Sequence, residues 1–372
     1  MKTEEEVVQI LKKGGVDLIA TLPCDKAQQL YNLIPRHFRH VPLTREEEGV
    51  GICAGAHLAG VRPLMLIQSS GMGNMINALG SLTKTYCLPL PILISWRGVY
   101  KEKISAQVPM GKYLPKILKA FDINYSTVEE SDDISLISGA LEDAYQNDTI
   151  HAVLLSPNIW RESEIGSING GERRVKRISP VETEVIRPVL TRFKIIQAVA
   201  PYLDGKVVVC NLGIPCKELY SIKHQEANFY MLGSLGMASP IGLGIAMNTG
   251  KHVVVIDGDG SLLMNPGTLA TIACIGPENL TILAIDNGVH GSTGSQPTAT
   301  ECGVDLELTA KSFGLDNTFR VWDEKRIHDV LEGLGPGPNF VHIIAKPGNA
   351  DVPNIPLTPL EIKQQVMEFL RR

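Results

Sequence analysis

Short runs of consecutive apolar residues recur along the chain, and most are followed by glycine, serine, proline or aspartate and then by a segment with helical periodicity. Continuous apolar runs, unlike alternating ones, are typical of strands that are buried on both faces of a parallel sheet. The repeated order of strand, loop and helix therefore predicts the α/β class, with doubly wound parallel sheets. The eight predicted strands are VDLIATL, RPLMLIQ, LPILISW, HAVLLSP, KVVVCNL, HVVVIDG, LTILAID and FVHIIAK.

This pattern occurs twice along the chain. Residues 1–160 hold one α/β unit, and residues 186–372 hold a second one that ends in a helix with Thr358 as its predicted N-cap. Residues 161–185 lose the apolar periodicity and gain glycine, serine and charge, so we interpret them as a linker. In open parallel sheets, ligands bind at the carboxyl ends of the strands, and chemistry is therefore expected in the residues that follow each strand.

Composition and charge exclude several classes of protein. The 372 residues are 44% hydrophobic and 20% charged, with a net charge of −5, and no basic run indicates a nucleic-acid partner. No apolar stretch approaches the length of a membrane span, and the N-terminus lacks the pattern of a signal peptide. The seven cysteines contain no CxxC pair and no zinc-site spacing, which is typical of a reducing compartment. We therefore expect a cytoplasmic protein without a membrane partner.

The segment VVVIDGDGSLLMNP places two aspartates and two glycines directly after a predicted buried strand. An EF-hand is excluded, because the sixth position of such a loop would be Leu262 and the twelfth Thr268, where glycine and glutamate are needed. The segment GLGIAM at 242–247 lacks the third glycine of a dinucleotide-binding motif, and the chain contains no Walker A sequence.

A metal ion beside a diphosphate fits this segment better. Gly258 and Gly260 let the backbone approach a ligand closely, and the amides of Gly260 and Ser261 are suited to a phosphate at a helix N-terminus. Asp259 offers a hard oxygen ligand of the kind that Mg²⁺ prefers. Asn287 directly follows the next predicted strand and brings a second oxygen to the same edge of the sheet.

The order GDG, strand and then DN is similar to the signature of enzymes that use thiamine diphosphate (ThDP). This resemblance implies that the side chains of Asp259 and Asn287 bind the metal, with the backbone carbonyl of Val289 as a third protein ligand. Asp257 precedes the motif, and we predict that it forms a turn. The segment GSLGMASPIGLGIA at 233–246 resembles the part of these enzymes that holds the diphosphate and the bent cofactor. Its cofactor-binding candidates are Gly233, Ser234, Gly236 and Met237.

ThDP enzymes also need a glutamate that bonds the aminopyrimidine ring of the cofactor. The segment LTREEEGVGICAGAHLAG offers Glu46, Glu47 and Glu48. Thr44 and Glu47 have the spacing of a capping box, which gives Glu47 a structural explanation. The family places the catalytic glutamate nine residues before a glycine of the same helix, and counting back from Gly55 gives Glu46. Glu47 is the alternative.

Most ThDP decarboxylases carry a third domain, whereas this chain has two predicted units. Its shortness, together with QSSGMGNMINALGSL, ISWRG, DNGVHGSTGSQPT and HIIAKPGN, resembles the family of phosphonopyruvate and sulfopyruvate decarboxylases. The segments TLPCDK and AQVPMGKYL are more similar to the sulfopyruvate branch, which in some organisms consists of two separate subunits. The resemblance implies a pyrimidine-binding first unit, a diphosphate- and Mg²⁺-binding second unit, and conversion of 3-sulfopyruvate to sulfoacetaldehyde and carbon dioxide in coenzyme M biosynthesis.

A small anionic keto acid of this kind needs cations and hydrogen-bond donors. Arg97 follows a predicted strand at the ligand edge, and we expect its guanidinium to hold the sulfonate or the carboxylate by two bonds. His290 lies close to Asn287 in the sequence and is a candidate for proton transfer near neutral pH, whereas His57 is expected to be structural. The further substrate-binding candidates are Ser70, Asn74, Lys84, Gln107 and Lys112.

Three alternatives remain open at this point. A phosphonopyruvate decarboxylase shares the cofactor, a carboligating ThDP synthase makes a carbon–carbon bond, and a regulatory protein binds ThDP without turnover. The resemblance also implies that the cofactor lies between the first unit of one chain and the second unit of another. We therefore expect at least a homodimer, with a tetramer as the alternative.

Overall fold

Two units make up the chain. The structure is a computed structural model that describes residues 2–160 and 186–372, and it divides into Met1–Arg173 and Arg174–Arg372. The predicted linker, residues 161–185, lies outside the described residues, so its assignment stays a prediction. Among the described residues, no helix is both long enough and apolar enough to cross a membrane.

One six-stranded parallel sheet organises the first unit. Its strands are β1 (Leu18–Thr21), β2 (Arg39–Pro42), β3 (Pro63–Gln68), β4 (Leu90–Ser95), β5 (Asn124–Val128) and β6 (Ile150–Leu155). Its helices are α1 (Thr3–Lys13), α2 (Gln28–His37), α3 (Glu46–Leu58), α4 (Gly71–Ala78), α5 (Val108–Ala120) and α6 (Leu136–Gln146). The strand order β2-β1-β3-β4-β6-β5 runs in both directions from β1. Because parallel crossovers are right-handed, this order requires helices on both faces of the sheet.

A second six-stranded parallel sheet organises the other unit. The strands of this sheet are β7 (Val207–Cys210), β8 (Asn228–Tyr230), β9 (Val253–Gly258), β10 (Leu280–Asp286), β13 (Asn317–Val321) and β14 (Asn339–Ile344). Two further strands, β11 (Val289–His290) and β12 (Gln296–Pro297), lie outside the sheet. Its helices are α7 (Arg192–Val199), α8 (Ile214–Ile222), α9 (Ala238–Ala246), α10 (Asp259–Met264), α11 (Gly267–Ile275), α12 (Leu306–Ser312), α13 (Glu324–Gly333) and α14 (Pro359–Arg371). The sheet has the order β13-β14-β10-β9-β7-β8, and β11 pairs with β12 as an antiparallel hairpin. The predicted α/β class with doubly wound parallel sheets is confirmed.

The predicted strands are the interior strands of the two sheets. Within the two six-stranded sheets, the four strands that the apolar pattern missed, β2, β5, β8 and β13, are the four edge strands. The two-residue strands β11 and β12 of the hairpin were not predicted either. Strands β2, β5 and β13 carry exposed or half-buried residues along most of their length, and β8 has only three residues. A continuous apolar run therefore detects burial on both faces of a sheet, and an edge strand lacks that signal.

The C-terminal helix begins as predicted. The Thr358 hydroxyl accepts a hydrogen bond from the backbone N–H of Glu361 at 3.3 Å, and the Glu361 carboxylate accepts one from the backbone N–H of Thr358 at 2.7 Å. This reciprocal pair is a capping box, which satisfies N–H groups that the first turn of a helix leaves unbonded.

Helix α9 packs unusually closely on the second sheet. All nine of its residues are buried, and a Cβ atom at Gly242 would lie 2.2 Å from Cγ2 of Val255 in β9. Real Cβ atoms do not approach other heavy atoms so closely, so this position accepts only glycine unless the helix moves away from the strand. The close approach fixes the start of α9 beside the carboxyl end of β9.

This packing predicts opposite effects for the same substitution at two helical glycines. Gly242→Ala should destabilise the protein by about 1–3 kcal/mol through overpacking against Val255. Gly139→Ala, in α6 where no atom lies within 4 Å of an added Cβ, should stabilise it by about 0.5–1 kcal/mol. Urea unfolding of both variants measures the difference. Equal midpoints for the two variants would contradict the close packing.

Candidate functional site

The carboxyl ends of the central strands β9 and β10 lie side by side at one edge of the second sheet. We call the region around these two strand ends the corner. The register of the two strands aligns Gly258 with Ile285, so the residues that follow leave the sheet side by side. A cavity of about 160 Å³ lies at this corner. Its walls include most of the predicted cofactor and metal residues of this unit, namely Gly258, Asp259, Gly260, Ser261, Asn287, Val289 and His290.

Asp259 is the buried carboxylate of this corner. It is the first residue of α10 and is only 4% exposed. Its Oδ2 accepts hydrogen bonds from the hydroxyls of Thr298, at 2.5 Å, and Thr300, at 3.3 Å. Burial raises the pKa of Asp259, and the nearby charge of Asp286 raises it further. A cation placed beside Asp259 would favour its ionised form.

The Asn287 side chain lines the same cavity. Its Oδ1 accepts the backbone N–H of Val289 at 3.2 Å, whereas its buried Nδ2 has no hydrogen-bond partner among the described residues. The turn that follows needs Gly288, which has a φ of +70° and whose added Cβ would lie 2.9 Å from the Glu301 carboxylate. A buried polar atom without a partner is uncommon, and here it lies at the wall of a cavity.

Asp257 does not form the predicted turn. It lies inside β9 and is buried, because the strand continues through Gly258. Its carboxylate accepts the Ser239 hydroxyl of α9 at 2.9 Å and the N–H of Gly258, also at 2.9 Å. Burial raises its pKa. The prediction was wrong, and Asp257 instead ties the start of α9 to the sheet.

The segment before α9 reaches the cavity at a residue that was not predicted. Gly236 has a φ of +94°, an added Cβ would lie 3.2 Å from Cβ of Met264, and its N–H donates to the Ser261 hydroxyl at 3.1 Å. In the described part of the chain, the residue of this segment that lines the cavity is Leu235, which the sequence did not indicate. The residues that were predicted from this segment flank Leu235 in the sequence but do not line the cavity, namely Gly233, Ser234, Gly236 and Met237.

His290 lies over the start of α10. A Cβ atom at Gly260 would be 2.5 Å from Cε1 of the His290 ring, so a larger residue at this position would displace the ring. The hairpin of β11 and β12 carries His290, whose side chain is exposed. The glycine that was predicted for a phosphate therefore also makes room for a histidine.

In the first unit, the three consecutive glutamates have different partners. Helix α3 begins at Glu46. The Glu48 carboxylate accepts the Thr44 hydroxyl at 2.8 Å and the Arg45 N–H at 3.4 Å. Glu47 lies 3.4 Å from the Arg45 guanidinium, and burial raises its pKa while Arg45 lowers it. The predicted capping pair of Thr44 and Glu47 was wrong by one residue, and the capping carboxylate is Glu48.

Glu46 is held in a buried pocket between α3 and α4. It is 3% exposed, and its Oε2 accepts a hydrogen bond from Asn74 Nδ2 at 2.8 Å. A Cβ atom at Gly71 would lie 2.5 Å from its Oε1. Asn74 was predicted to bind substrate, and in this structure it contacts the predicted catalytic glutamate. The geometry distinguishes Glu46 from Glu47 and Glu48, which serve the helix start.

A cavity of about 900 Å³ lies at the carboxyl ends of β1 and β2. Thr21, Cys24, Tyr31 and His40 are among the residues that line it. Burial raises the pKa of Tyr31 well above its usual value, and the charges of Cys24 and Glu46 raise it further. The sequence did not indicate Tyr31, because a tyrosine in an amphipathic helix has no distinguishing pattern.

Comparison with known proteins identifies both units. Residues 1–121 match the model of the N-terminal TPP binding domain of thiamine pyrophosphate enzymes, and residues 215–343 match the C-terminal TPP binding domain. Thiamine pyrophosphate is another name for ThDP. The chain is also 45% identical to a sulfopyruvate decarboxylase of Methanosarcina acetivorans, over 99% of this chain and 97% of that protein.

The chain belongs to the thiamine pyrophosphate enzymes.

Other members of the family support the same assignment. A phosphonopyruvate decarboxylase of Streptomyces viridochromogenes is 30% identical over 96% of this chain and 92% of its own length. The solved structure of a ThDP-dependent 4-hydroxybenzoylformate decarboxylase of Rhodococcus jostii RHA1 has a TM-score of 0.69 and 12% identity, and the match covers 94% of this chain and 100% of that chain. At such low identity, the second match shows only that the fold is shared.

The corner of the second unit fits the metal and diphosphate that this family implies. The Asp259 carboxylate and the Asn287 Oδ1 are oxygens that a cation can use, and the unpartnered Asn287 Nδ2 is a donor that suits an acceptor such as a phosphate oxygen. Gly258 and Gly260 line the cavity without a side chain. In the described ranges, no group of three or more His, Cys, Asp or Glu side chains is arranged around a metal position. A site built from one carboxylate, one amide and one carbonyl would not contain such a group.

Arg97 is buried between two carboxylates that the sequence did not indicate. Its Nε and Nη2 donate to Glu102, at 2.6 and 3.0 Å, and its Nη1 donates to Asp25. The Arg97 side chain is 3% exposed and that of Glu102 is 5% exposed. The predicted direct contact of Arg97 with a substrate anion therefore requires that the Glu102 or the Asp25 carboxylate first move away from the guanidinium.

Of the other substrate-binding candidates, Ser70 and Gln107 lie in the segments that follow β3 and β4, whereas Lys84 precedes β4 and lies at the opposite edge of the first sheet. Ser70 precedes α4 as its N-cap residue, and Gln107 has a buried Oε1 without a partner among the described residues. Lys112 is exposed on α5 beside the ring of Tyr113. Lys84 donates to the carbonyls of Phe121 and Asp122 at the end of α5, so it stabilises a helix C-terminus.

The pair of Arg97 and Glu102 predicts a dependence of stability on pH. Hydrogen bonds from Arg97 lower the pKa of Glu102 to about 2, below the value of about 4.3 in an unfolded chain. The stabilisation is therefore complete above pH 5 and is lost as the pH falls towards 2. Glu102→Gln should destabilise the protein by about 3 kcal/mol at pH 5, because it leaves a buried guanidinium without this charge.

Thermal unfolding at pH 5 and pH 3 tests this expectation. The midpoint should fall less between these pH values in Glu102→Gln than in the wild type. Glu332→Gln, at an exposed position of α13, is the matched control and should follow the wild type. An identical pH response of Glu102→Gln and the wild type would contradict the buried pair.

Proposed function

We propose that this enzyme decarboxylates 3-sulfopyruvate to sulfoacetaldehyde and carbon dioxide, with ThDP and Mg²⁺ as cofactors. The observation that carries the proposal is the full-length identity of 45% to a sulfopyruvate decarboxylase. The phosphonopyruvate decarboxylase is more distant, at 30% identity. Two buried sites of suitable chemistry, one around Asp259 and one around Glu46, support the reaction class.

In this proposal Asp259, the Asn287 side chain and the Val289 carbonyl hold Mg²⁺. The Val289 carbonyl already accepts the N–H of Gly291 at 3.0 Å and has a second lone pair for a cation. The amides at Gly260 and Ser261, at the start of α10, face the diphosphate. Bound ThDP supplies an acceptor for the electron pair that remains when carbon dioxide leaves.

Glu46 bonds the aminopyrimidine ring of the cofactor in this proposal. Asn74 and the close approach of Gly71 hold its carboxylate in one orientation, which preorganises the group for its task. We propose that Glu46 serves a cofactor bound by the second unit of another chain. Methanococcus maripaludis has separate sulfopyruvate decarboxylase subunits, alpha at 40% and beta at 43% identity to this chain. These relatives support assembly, and we propose a homodimer or a tetramer.

The substrate carries two negative charges and needs cations around it. We propose that Arg97, Ser70, Asn74, Gln107 and Lys112 contribute to its binding. Arg97 would exchange a carboxylate partner for the sulfonate or carboxylate of the substrate, since a guanidinium binds such groups by two parallel bonds.

The proposal also includes a proton donor and a cellular compartment. His290 is exposed at the wall of the cavity that also contains Asp259, and we propose that it carries the proton that the product requires. All seven cysteines are free, as in proteins of a reducing compartment. We propose that the enzyme acts in the cytoplasm, in coenzyme M biosynthesis.

The substrate assignment is tested by comparing two keto acids. The purified protein, with ThDP and Mg²⁺, is assayed with 3-sulfopyruvate and with phosphonopyruvate, and the carbon dioxide and aldehyde are measured. We expect a higher kcat/KM for 3-sulfopyruvate. A higher value for phosphonopyruvate would overturn the assignment, and a product with a new carbon–carbon bond would indicate a synthase. Cofactor binding without turnover of either acid would indicate a regulatory protein.

The assignment of Glu46 predicts different outcomes for two adjacent glutamates. Glu46→Gln should lower kcat by about 100-fold or more, because the cofactor loses its proton-transfer partner. Glu47→Gln should keep most of the activity, because Glu47 contacts Arg45 at the helix start. ThDP affinity, measured by calorimetry, should stay close to that of the wild type in both variants. Inactivity of Glu47→Gln with full activity of Glu46→Gln would show that the register is wrong by one residue.

A further inference from the structure

We propose that Thr298 is a positioning residue for the metal, because its side chain holds Asp259 and its backbone holds the loop that carries Asn287 and Val289. The inference rests on the proposed metal role of Asp259 and Asn287. It concerns residues that the GDG and DN motifs do not contain. Its test measures metal affinity and therefore does not depend on the identity of the keto acid.

The side chain of Thr298 is a buried hydrogen-bond donor to Asp259. Thr298 is 5% exposed, and its Oγ1 lies 2.5 Å from Asp259 Oδ2. A carboxylate accepts hydrogen bonds and cannot donate them when it is ionised, so the direction of this bond is fixed. Donation to Oδ2 holds the plane of the carboxylate. Backbone N–H groups of Gly260 and Asp259 also donate to it, and its oxygens have further lone pairs for a cation.

The backbone of Thr298 holds the other half of the site. Its N–H donates to the carbonyl of Gly288 at 2.8 Å, and Gly288 lies between the two other predicted metal ligands. The hairpin that pairs Val289 with Pro297 returns the chain so that the next residue, Thr298, lies beside Gly288. One residue thus connects the ligand at the end of β9 with the ligands that follow β10.

Thr300 extends the same support to the second carboxylate of the corner. Its hydroxyl lies 2.8 Å from Asp286 Oδ1 and 3.3 Å from Asp259 Oδ2. Asp286 also accepts the N–H of Gly288 at 3.1 Å and faces His342 Nε2 at 2.9 Å. Asp286 therefore has partners on both oxygens, and it is anchored to β14 through His342.

This arrangement reduces the repulsion between the Asp259 and Asp286 carboxylates. Asp259 and Asp286 are both buried, and two like charges close together in a buried site repel each other. Hydroxyl donors on each carboxylate keep them in separate orientations. Without the Thr298 hydroxyl, the Asp259 carboxylate would keep the longer Thr300 contact and its backbone N–H donors, which hold its orientation less firmly.

The expected size of the effect follows from the behaviour of groups that orient metal ligands. Loss of such a group commonly weakens metal binding by about 10–100-fold. Thr298→Val keeps the shape of the side chain and removes only the donor, so we expect Mg²⁺ affinity to fall within this range. Thr298→Ser keeps the donor and should bind Mg²⁺ within about threefold of the wild type.

The experiment titrates Mg²⁺ into the full-length protein saturated with ThDP, followed by isothermal titration calorimetry. Thr268→Val is the matched control, since Thr268 is a buried threonine of the same unit whose hydroxyl has no hydrogen-bond partner in the described residues. Its Mg²⁺ affinity should equal that of the wild type. Thermal unfolding without cofactors checks that each variant is folded.

A second readout separates positioning from a general loss of structure. Mn²⁺ replaces Mg²⁺, and its electron paramagnetic resonance spectrum is recorded for each variant. The Thr298→Val spectrum should change while those of Thr298→Ser and Thr268→Val match the wild type. If Thr298→Val does not fold, Thr298→Ala is compared with Thr298→Ser in the same way.

The inference is overturned if Thr298→Val, or Thr298→Ala in its place, binds Mg²⁺ as tightly as the wild type. It is also overturned if Thr298→Ser loses as much affinity as Thr298→Val, because the hydroxyl would then be irrelevant. Failure of the keto-acid assay with the expected pattern of Mg²⁺ affinities would overturn the proposed substrate and leave the role of Thr298 intact.

Discussion

The parallel pairing of β9 with β10 is the constraint on which the second unit depends. Its register brings Asp259 and Asp286 out of the sheet side by side in a buried corner. Burial of two like charges is unfavourable unless donors or a cation compensate them. The protein provides hydroxyls, a histidine and backbone N–H groups. Asp259 and Asn287 both line the cavity, and we propose that a cation bound by their oxygens completes the compensation.

In the first unit, the buried acidic residues also have hydrogen-bond or charge partners. Three glutamates begin α3, and two of them stabilise the helix start through Thr44 and Arg45. The third, Glu46, is buried against Asn74. The same holds for a cation in the loop after β4, since buried Arg97 is neutralised by Glu102 and Asp25. In each case, burial requires a partner, and the partner determines which group remains available for chemistry.

The sequence predicted the features that depend on local pattern and missed those that depend on distant partners. Apolar runs identified every interior strand but none of the edge strands, because only interior strands are buried on both faces. Asp257 was misassigned because the dipeptide DG is typical of turns, whereas here β9 continues through it. Asp25, which pairs with Arg97, and Thr298, which bonds Asp259, come from loops that sequence spacing does not relate to these residues. The motifs indicated the proposed ligands of the site, and the groups that support them became visible only in the structure.

The most direct test of the account is the position of a divalent cation in crystals grown with ThDP and Mn²⁺. An anomalous difference map locates manganese independently of the protein model. The account predicts one peak about 2.1 Å from oxygens of Asp259, the Asn287 side chain and the Val289 carbonyl. A peak held instead by Asp286, or ThDP bound in the cavity without manganese at Asp259, would contradict it.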